Sequence, residues 1–497
     1  MLKDKGVNES SAPHVIVVGG GIAGLVAARE LVRAGLRVTL VEAGSRLGGK
    51  VASHTVGGIR LDSGAESFAT RLGTVSTLLT ELGLSGDIVQ PVAGGAWLQP
   101  LTGPAVPLPQ ASLLGIPSVP LARDVIRVVG LPGALRAQLD ALLSGFVGSR
   151  ERNLGALVRK RMGRAVLDRL VAPVAGGIHS AHPDSLDVDI VAPRLRTILL
   201  AEGSLAKAVL TVREKAPAGS AVQGLVGGIF RLVDALAADL DGRAEILLGT
   251  RVHAADVAGT TLTDDIRLTA DAVILATELG DPTGVPITLA TLVVRSPALD
   301  AAPRGSGVLV AGPLSGDSRA VKAAGRAASK AAGRAAGAVP GNGAPATSAR
   351  IEFRAKALTH STAKWAWLAG TEAGSEAGTA ASAVRRVEPG VHVLRLSFAA
   401  APDADADLRE LARTEAARLL GVAIPVADVL DFARVQWRGA PTRRTPAADV
   451  AETATPLVIG ETISGAGLAS IIGYARVSAA NLAHDLLADP PLGLAIE

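Results

Sequence analysis

An α/β fold is what the sequence predicts, on three observations. A strand, a glycine turn, a helix and a second strand follow one another within the first 41 residues, the chain is 497 residues long, and hydrophobic residues make up 48% of it against 19% charged. At roughly 150 residues per domain the length predicts about three lobes, with a core large enough to enclose a cofactor. A disordered chain would reverse the balance of apolar and charged residues. Cysteine is absent, which excludes disulfides, thiolate nucleophiles, iron–sulfur clusters and cysteine zinc sites, so redox chemistry must come from a bound cofactor. No metal site is expected. Aromatic residues are 2%, too few for a surface that stacks nucleic-acid bases, and a net charge of +4 is a slight excess over near-balanced acids and bases. No nucleic-acid partner is expected. Residues 1–14 are polar and lack the apolar stretch of a secretory signal, which predicts a cytoplasmic protein.

Taken in order, residues 14–18 form a short β-branched run that meets Gly19-Gly20-Gly21, residues 22–34 carry helical spacing up to Gly35, and residues 36–41 read as the second strand. This order is a Rossmann-like βαβ unit. Residues 91–122 contain no charged side chain but have seven prolines, which forbid a continuous spanning helix. They are expected to form a loop region that is buried or touches a membrane. Residues 152–169 and 403–420 have helical patterning, and 270–276, 289–294 and 392–398 read as strands. Within a low-complexity basic insertion at 315–350, residues 321–338 contain an eight-residue duplication with Lys322, Arg326, Lys330 and Arg334 four apart. That insertion reads as solvated and partly disordered, ahead of any role in binding lipid or nucleic acid.

The chemistry starts at Gly19-x-Gly21-x-x-Gly24. The first glycine makes the tight turn, the second lets a pyrophosphate approach the backbone, and the third admits close helix packing. Ile22, Ala23 and Gly24 open the helix, whose free N–H groups and partial positive charge suit phosphate. Glu42 ends the second strand 18 residues after Gly24, where a carboxylate accepts hydrogen bonds from ribose hydroxyls and repels a 2′-phosphate. Beyond Glu42 and Ala43, Arg46-Leu47-Gly48-Gly49-Lys50 adds a guanidinium and bare backbone to a second stretch of pyrophosphate.

This extension resembles the FAD-dependent amine-oxidase-like superfamily. The resemblance implies FAD as cofactor, with Ala276 and Thr277 after the 270–276 strand and Val252 as further contacts. It also draws in Gly460, Glu461, Gly467 and Leu468, where a glycine-opened helix aims its dipole at the flavin. Arg476 is read equally as a flavin contact or a surface side chain.

A closer resemblance is to protoporphyrinogen and coproporphyrinogen oxidases. Asp62-Ser63-Gly64-Ala65-Glu66-Ser67-Phe68 is similar to their acidic-Gly-Pro-Asp-Ser-Phe motif, residues 174–179 to their Gly-Gly-Val-Tyr loop, and residues 356–365 to their Ser-Ser-Lys-Trp stretch. The family implies oxidation of a porphyrinogen to a porphyrin in haem synthesis, with dioxygen as acceptor and hydrogen peroxide as product. Gly64, Ala65, Glu66 and Ser67 are then cofactor contacts, and Arg71, Gly177, Ile178 and His179 substrate contacts. An Ala-rich chain without a spanning helix favours coproporphyrinogen III, whose four propionates call for several cations. Arg71 leads as a propionate contact; for Lys364 a solvated side chain is preferred. No catalytic base is assigned, because binding the reacting carbon against the flavin is the protein's main task.

By the same resemblance the architecture is a discontinuous Rossmann-like FAD domain (12–85, 220–285 and 440–497), a helical insertion (86–219) and a mixed-sheet substrate domain (286–439). A peripheral membrane contact and a downstream haem-synthesis enzyme are the partners considered. The rivals are protoporphyrinogen IX oxidation, a flavin amine oxidase, a carotenoid-type desaturase with a long apolar tunnel, and a non-catalytic FAD and porphyrin carrier. Ile463 and Ser464 stand where an amine oxidase would place an aromatic ring.

Overall fold

A computed structural model describes residues 12–70, 72–179, 181–214, 222–263, 265–277, 286–311, 352–370, 386–438, 456–465 and 467–488. Arg71 and the basic insertion lie outside these residues.

At the centre of one half is a five-stranded parallel sheet in the order Glu245–Leu247, Arg37–Val41, His14–Val18, Ala272–Leu275, Leu457–Val458. Val15 sits opposite both Val38 and Ala272, and Ile274 opposite Leu457, so the start, middle and end of the chain share one sheet. Parallel strands covered on both faces read as continuous apolar runs, as His14–Val18 does. Val15 and Val17 pack on the helices Ile22–Arg33, Phe230–Leu240 and Leu468–Ala488. Ile16 and Val18 face a small antiparallel sheet that includes Val252–Asp256 and Gly259–Leu262.

A seven-stranded mixed sheet forms the second half: Val429–Arg438, Pro286–Arg295, Val391–Phe398, Ala355–His360, Gly307–Val310, Trp97–Gln99, Val106–Pro107. Its last two strands come from the uncharged stretch 91–122, which was expected to be loop. Extended backbone tolerates the prolines there because both strands are short and at the sheet's margin. Leu394, Leu396 and Phe398 face the helix Asp405–Leu420, while Val391 and Val393 turn the other way onto Trp365 and Trp367. Strand alternation puts Arg395 on that second face. The hairpin Ser53–Val56 and Ile59–Asp62 lies over the same face through Val56, Ile59 and Leu61, carrying the chain that follows Asp62 across the mixed sheet.

The helical part includes Arg123–Gln138, kinked at Gly130 where φ is 77°, then Leu154–Arg161, Ala172–His179, Leu195–Glu202 and Leu205–Glu214. Arg161 and Asp140, 0% and 1% exposed, form an ion pair within it. The guanidinium also donates to the carbonyls of Ser144 and Gly203, and Asp140 accepts from Ser204 Oγ and the Ala206 N–H. Residues 174–179 are the last turns of a helix, not the loop that the motif predicted; Pro173 near its start is compatible with helical φ.

Candidate active site

The glycine turn after the first strand is shaped by contacts that admit no side chain. A Cβ on Gly24 would stand 1.9 Å from the Gly19 carbonyl oxygen, and Gly19 itself has φ of +107°. Gly21 is different: nothing lies within 4 Å of where its Cβ would be. It is the N-cap of Ile22–Arg33, and no side-chain cap satisfies the first turn. Opposite runs the second glycine turn, where Gly48 donates its N–H to the Gly20 carbonyl at 2.8 Å and pairs with Gly21 as an isolated bridge. A Cβ on Gly48 would meet the Val51 carbonyl at 2.2 Å, and one on Gly49 the Gly21 Cα at 3.4 Å. Two bare backbones therefore form a cradle whose chemistry suits phosphate, with Ala43 and Arg46 exposed nearby.

Glu42 accepts from the Gly20 N–H at 2.7 Å through Oε2 and from the Gly44 N–H at 2.6 Å through Oε1. The carboxylate thus locks the turn as well as standing at the strand end; each oxygen keeps a lone pair for a ribose hydroxyl. Ala276 bonds to the Val18 carbonyl, with Thr277 exposed just beyond it. A Cβ on Gly460 would come within 3.7 Å of the Ala276 carbonyl and 3.9 Å of the Ala23 Cβ, so the C-terminal segment reaches the cradle. Lys50 pairs with Glu461, and Gly467 with Leu468 opens the long helix Leu468–Ala488. Val252 contributes no side chain here, being buried against Ile16, Val18 and Val273. Only its backbone is left for a ligand.

The motif after the hairpin folds into a buried charge cluster. Gly64 packs so closely that a Cβ would be 2.0 Å from the Lys50 carbonyl, which ties this turn to the second glycine turn. Ala65 is exposed and Ser67 half-buried beside it. Glu66 accepts from Lys364 Nζ at 2.7 Å, Arg395 Nη1 at 2.8 Å and Ser361 Oγ at 3.0 Å, and Arg395 Nη2 donates to the Gly64 carbonyl at 2.6 Å. Burial alone would raise the Glu66 carboxyl, but the two cations outweigh it and bring it down to about 2. Asp62 caps the helix Phe230–Leu240, accepting from the N–H groups of Ile229 and Phe230 at 3.0 and 2.9 Å. Burial pushes its carboxyl up to about 7 against the pull of those donors.

Several expectations change. Lys364 is 17% exposed and ion-paired to Glu66, not solvated, because the mixed sheet and the motif turn close over it. Arg476, read equally as a flavin or surface contact, is half-buried and bonds Glu30 and Glu81 at 3.1 and 2.7 Å. Gly177 packs toward Leu309 of the mixed sheet, and Ile178 and His179 continue its helix. Arg395 and Ser361 were not singled out from the sequence. A lone arginine inside the apolar strand Val391–Phe398 is the signal that finds Arg395, because a charge there needs a buried partner. Among the described residues no group of histidines and acids is placed to hold a metal.

The cradle's bare glycines, its uncapped helix and the locked Glu42 suit a dinucleotide. Residues 22–283, more than half of the chain, match the family of flavin containing amine oxidoreductases. The chain belongs to that family. FAD is accordingly its cofactor, and the protein is an oxidoreductase. A coproporphyrinogen III oxidase of Propionibacterium freudenreichii is 30% identical over 375 residues, spanning 64% of this chain and 71% of that one. Protoporphyrinogen oxidase 2 of Arabidopsis thaliana is 29% identical over 44% of this chain and 42% of its own. Among solved structures, an Exiguobacterium sp. 255-15 chain assigned as a protoporphyrinogen oxidase superposes with a TM-score of 0.72 at 20% identity, covering 96% of this chain and 99% of its own. A wild-type putrescine oxidase gives 0.55 at 16% identity, covering 96% of this chain and 99% of its own. At these identities the superpositions speak for the fold alone.

Proposed function

We propose that the protein oxidises coproporphyrinogen III to coproporphyrin III in haem synthesis, with dioxygen as final acceptor and hydrogen peroxide as product. The observation that carries this reading is the similarity over 375 residues to the coproporphyrinogen III oxidase of Propionibacterium freudenreichii. Bound FAD would supply the hydride acceptor. Gly19 to Gly24 and Gly48 to Lys50 would hold its pyrophosphate, Glu42 its ribose, and the 64–67 turn and Gly460, Glu461, Gly467 and Leu468 the remainder.

The site's own chemistry supports a reaction that needs placement more than a base. Glu66 is neutralised by two cations and Asp62 is anchored to a helix start, so neither carboxylate is free to abstract a proton from substrate. Binding must bring the reacting carbon within about 3–3.5 Å of the acceptor, and that proximity carries the rate. Arg71 is assigned to a propionate, with Gly177, Ile178 and His179 shaping the cavity. In this reading 12–85, 220–285 and 440–497 form the FAD domain, 86–219 the helical insertion and 286–439 the substrate domain, the insertion lending two strands to the mixed sheet.

A peripheral membrane contact belongs to the same proposal. In the helical part Leu131, Leu135, Leu139, Leu142 and Phe146 are exposed while Gly133, Ala134 and Ala137 face inward, so the large apolar side chains point to solvent. Exposed Arg123, Arg127 and Arg150 flank them. Among the described residues no helix is long and apolar enough to cross a membrane.

The test is to mix the flavin-loaded protein in air with coproporphyrinogen III or protoporphyrinogen IX and follow porphyrin fluorescence. Faster turnover of coproporphyrinogen III is expected. Preference for protoporphyrinogen IX would replace the substrate, and no porphyrin from either, with flavin retained, would overturn the reading in favour of a carrier or an amine oxidase.

A further inference from the structure

The cluster under the 64–66 turn holds an unequal number of charges. Glu66 is one anion between two cations, Lys364 and Arg395, and all three are at most 17% exposed. The guanidinium of Arg395 rises from the mixed sheet and grips the turn twice, through Glu66 and through the Gly64 carbonyl. Its Nε has no acceptor among the described residues, nor has Trp367 Nε1. Both side chains line a cavity of about 20 Å³ together with Asp62 and Ser361. That is room for one water, which could accept from both donors and complete the hydrogen bonding of the guanidinium. Asp62 holds its proton up to about 7, so below that value it leaves the excess uncompensated.

Resting on the reading that the 64–67 turn lies against the flavin, we propose that Arg395 is a positioning residue of the cofactor site. It fixes the turn from the substrate-sheet side and, with Lys364, sets two cations against the single anion of Glu66 beneath it. A buried positive charge favours any species above it that gains negative charge, and the effect is little screened by salt. The arrangement therefore raises the tendency of the bound cofactor to accept electrons, and it ties the mixed sheet to the turn that packs on the Lys50 carbonyl. Lysine would keep the charge but not the fork that grips both Glu66 and Gly64.

The experiment measures the midpoint potential and the FAD dissociation constant of the purified holoenzyme and three variants. Arg395→Met removes the cation and should move the potential to more negative values and weaken FAD binding about tenfold or more. Arg395→Lys should hold the potential while still loosening FAD. Glu66→Gln, which leaves both cations, should move the potential the opposite way, so the proposal stays testable if Arg395→Met does not fold. Shifts of the same sign in Arg395→Met and Glu66→Gln, or unchanged potentials with only lower thermal stability, would reduce Arg395 to an ion-pair partner and overturn the proposal. Failure of wild-type protein to oxidise either porphyrinogen, with these potential shifts intact, would instead remove only the substrate assignment.

Discussion

Replacing Glu66 by Gln tests the buried cluster most directly. The substitution keeps the side chain's shape and removes its charge, leaving Lys364 and Arg395 without their anion. The carboxyl is lowered from its ordinary 4.5 to about 2 in the folded chain, and at about 1.4 kcal/mol for each tenfold change this corresponds to about 3 kcal/mol of stability. The cost of breaking a buried pair by removing one partner, about 3–5 kcal/mol, agrees. Because the folded value is the lower one, this contribution is complete above pH 4.5 and is lost as pH falls toward 2. Urea unfolding of wild type and Glu66→Gln, followed by tryptophan fluorescence at pH 7 and at steps down to pH 3, should show a gap of about 3 kcal/mol that narrows below pH 4.5. A gap under about 0.5 kcal/mol at pH 7, the size of an ordinary surface substitution, would refute the reasoning. So would a gap that does not change with pH.

Gly24→Ala should yield protein with little bound flavin by absorbance, since the added Cβ would stand 1.9 Å from the Gly19 carbonyl and backbone cannot yield there. Folded Asp62 keeps its proton up to about 7 against an ordinary 3.8, so the folded chain binds more protons than the unfolded one between those values and stability falls as pH rises across them. Asp62→Asn should flatten that slope in urea titrations between about pH 4 and 7. Asp140→Asn leaves Arg161 buried without an anion and should cost about 3–5 kcal/mol in unfolding experiments, with flavin absorbance unchanged. By contrast Lys50→Ala, at a half-exposed pair with Glu461, should cost under about 1 kcal/mol.

Much of the geometry of the two glycine turns was legible because its signals are local. A glycine that cannot carry a Cβ, a strand ending in Glu42 and a second glycine turn are written in consecutive residues, and backbone sterics act over that same range. The uncharged stretch 91–122 was harder, since two-residue and three-residue strands take their identity from the neighbour they pair with and not from their own pattern. Lys364 misled for a similar reason: nothing near it in sequence shows that Glu66, 298 positions away, stands 2.7 Å from its ammonium.

The amino-acid order alone determined the two glycine turns, the family resemblance and the absence of cysteine chemistry, all of which depend on residue identity or short spacing. Tertiary structure decided which charges are neutralised and which are left over. Glu66, Lys364 and Arg395 come from three separate stretches, and the low carboxyl value of Glu66 is set by distances of a few ångströms to those two cations that only the packed sheets bring about.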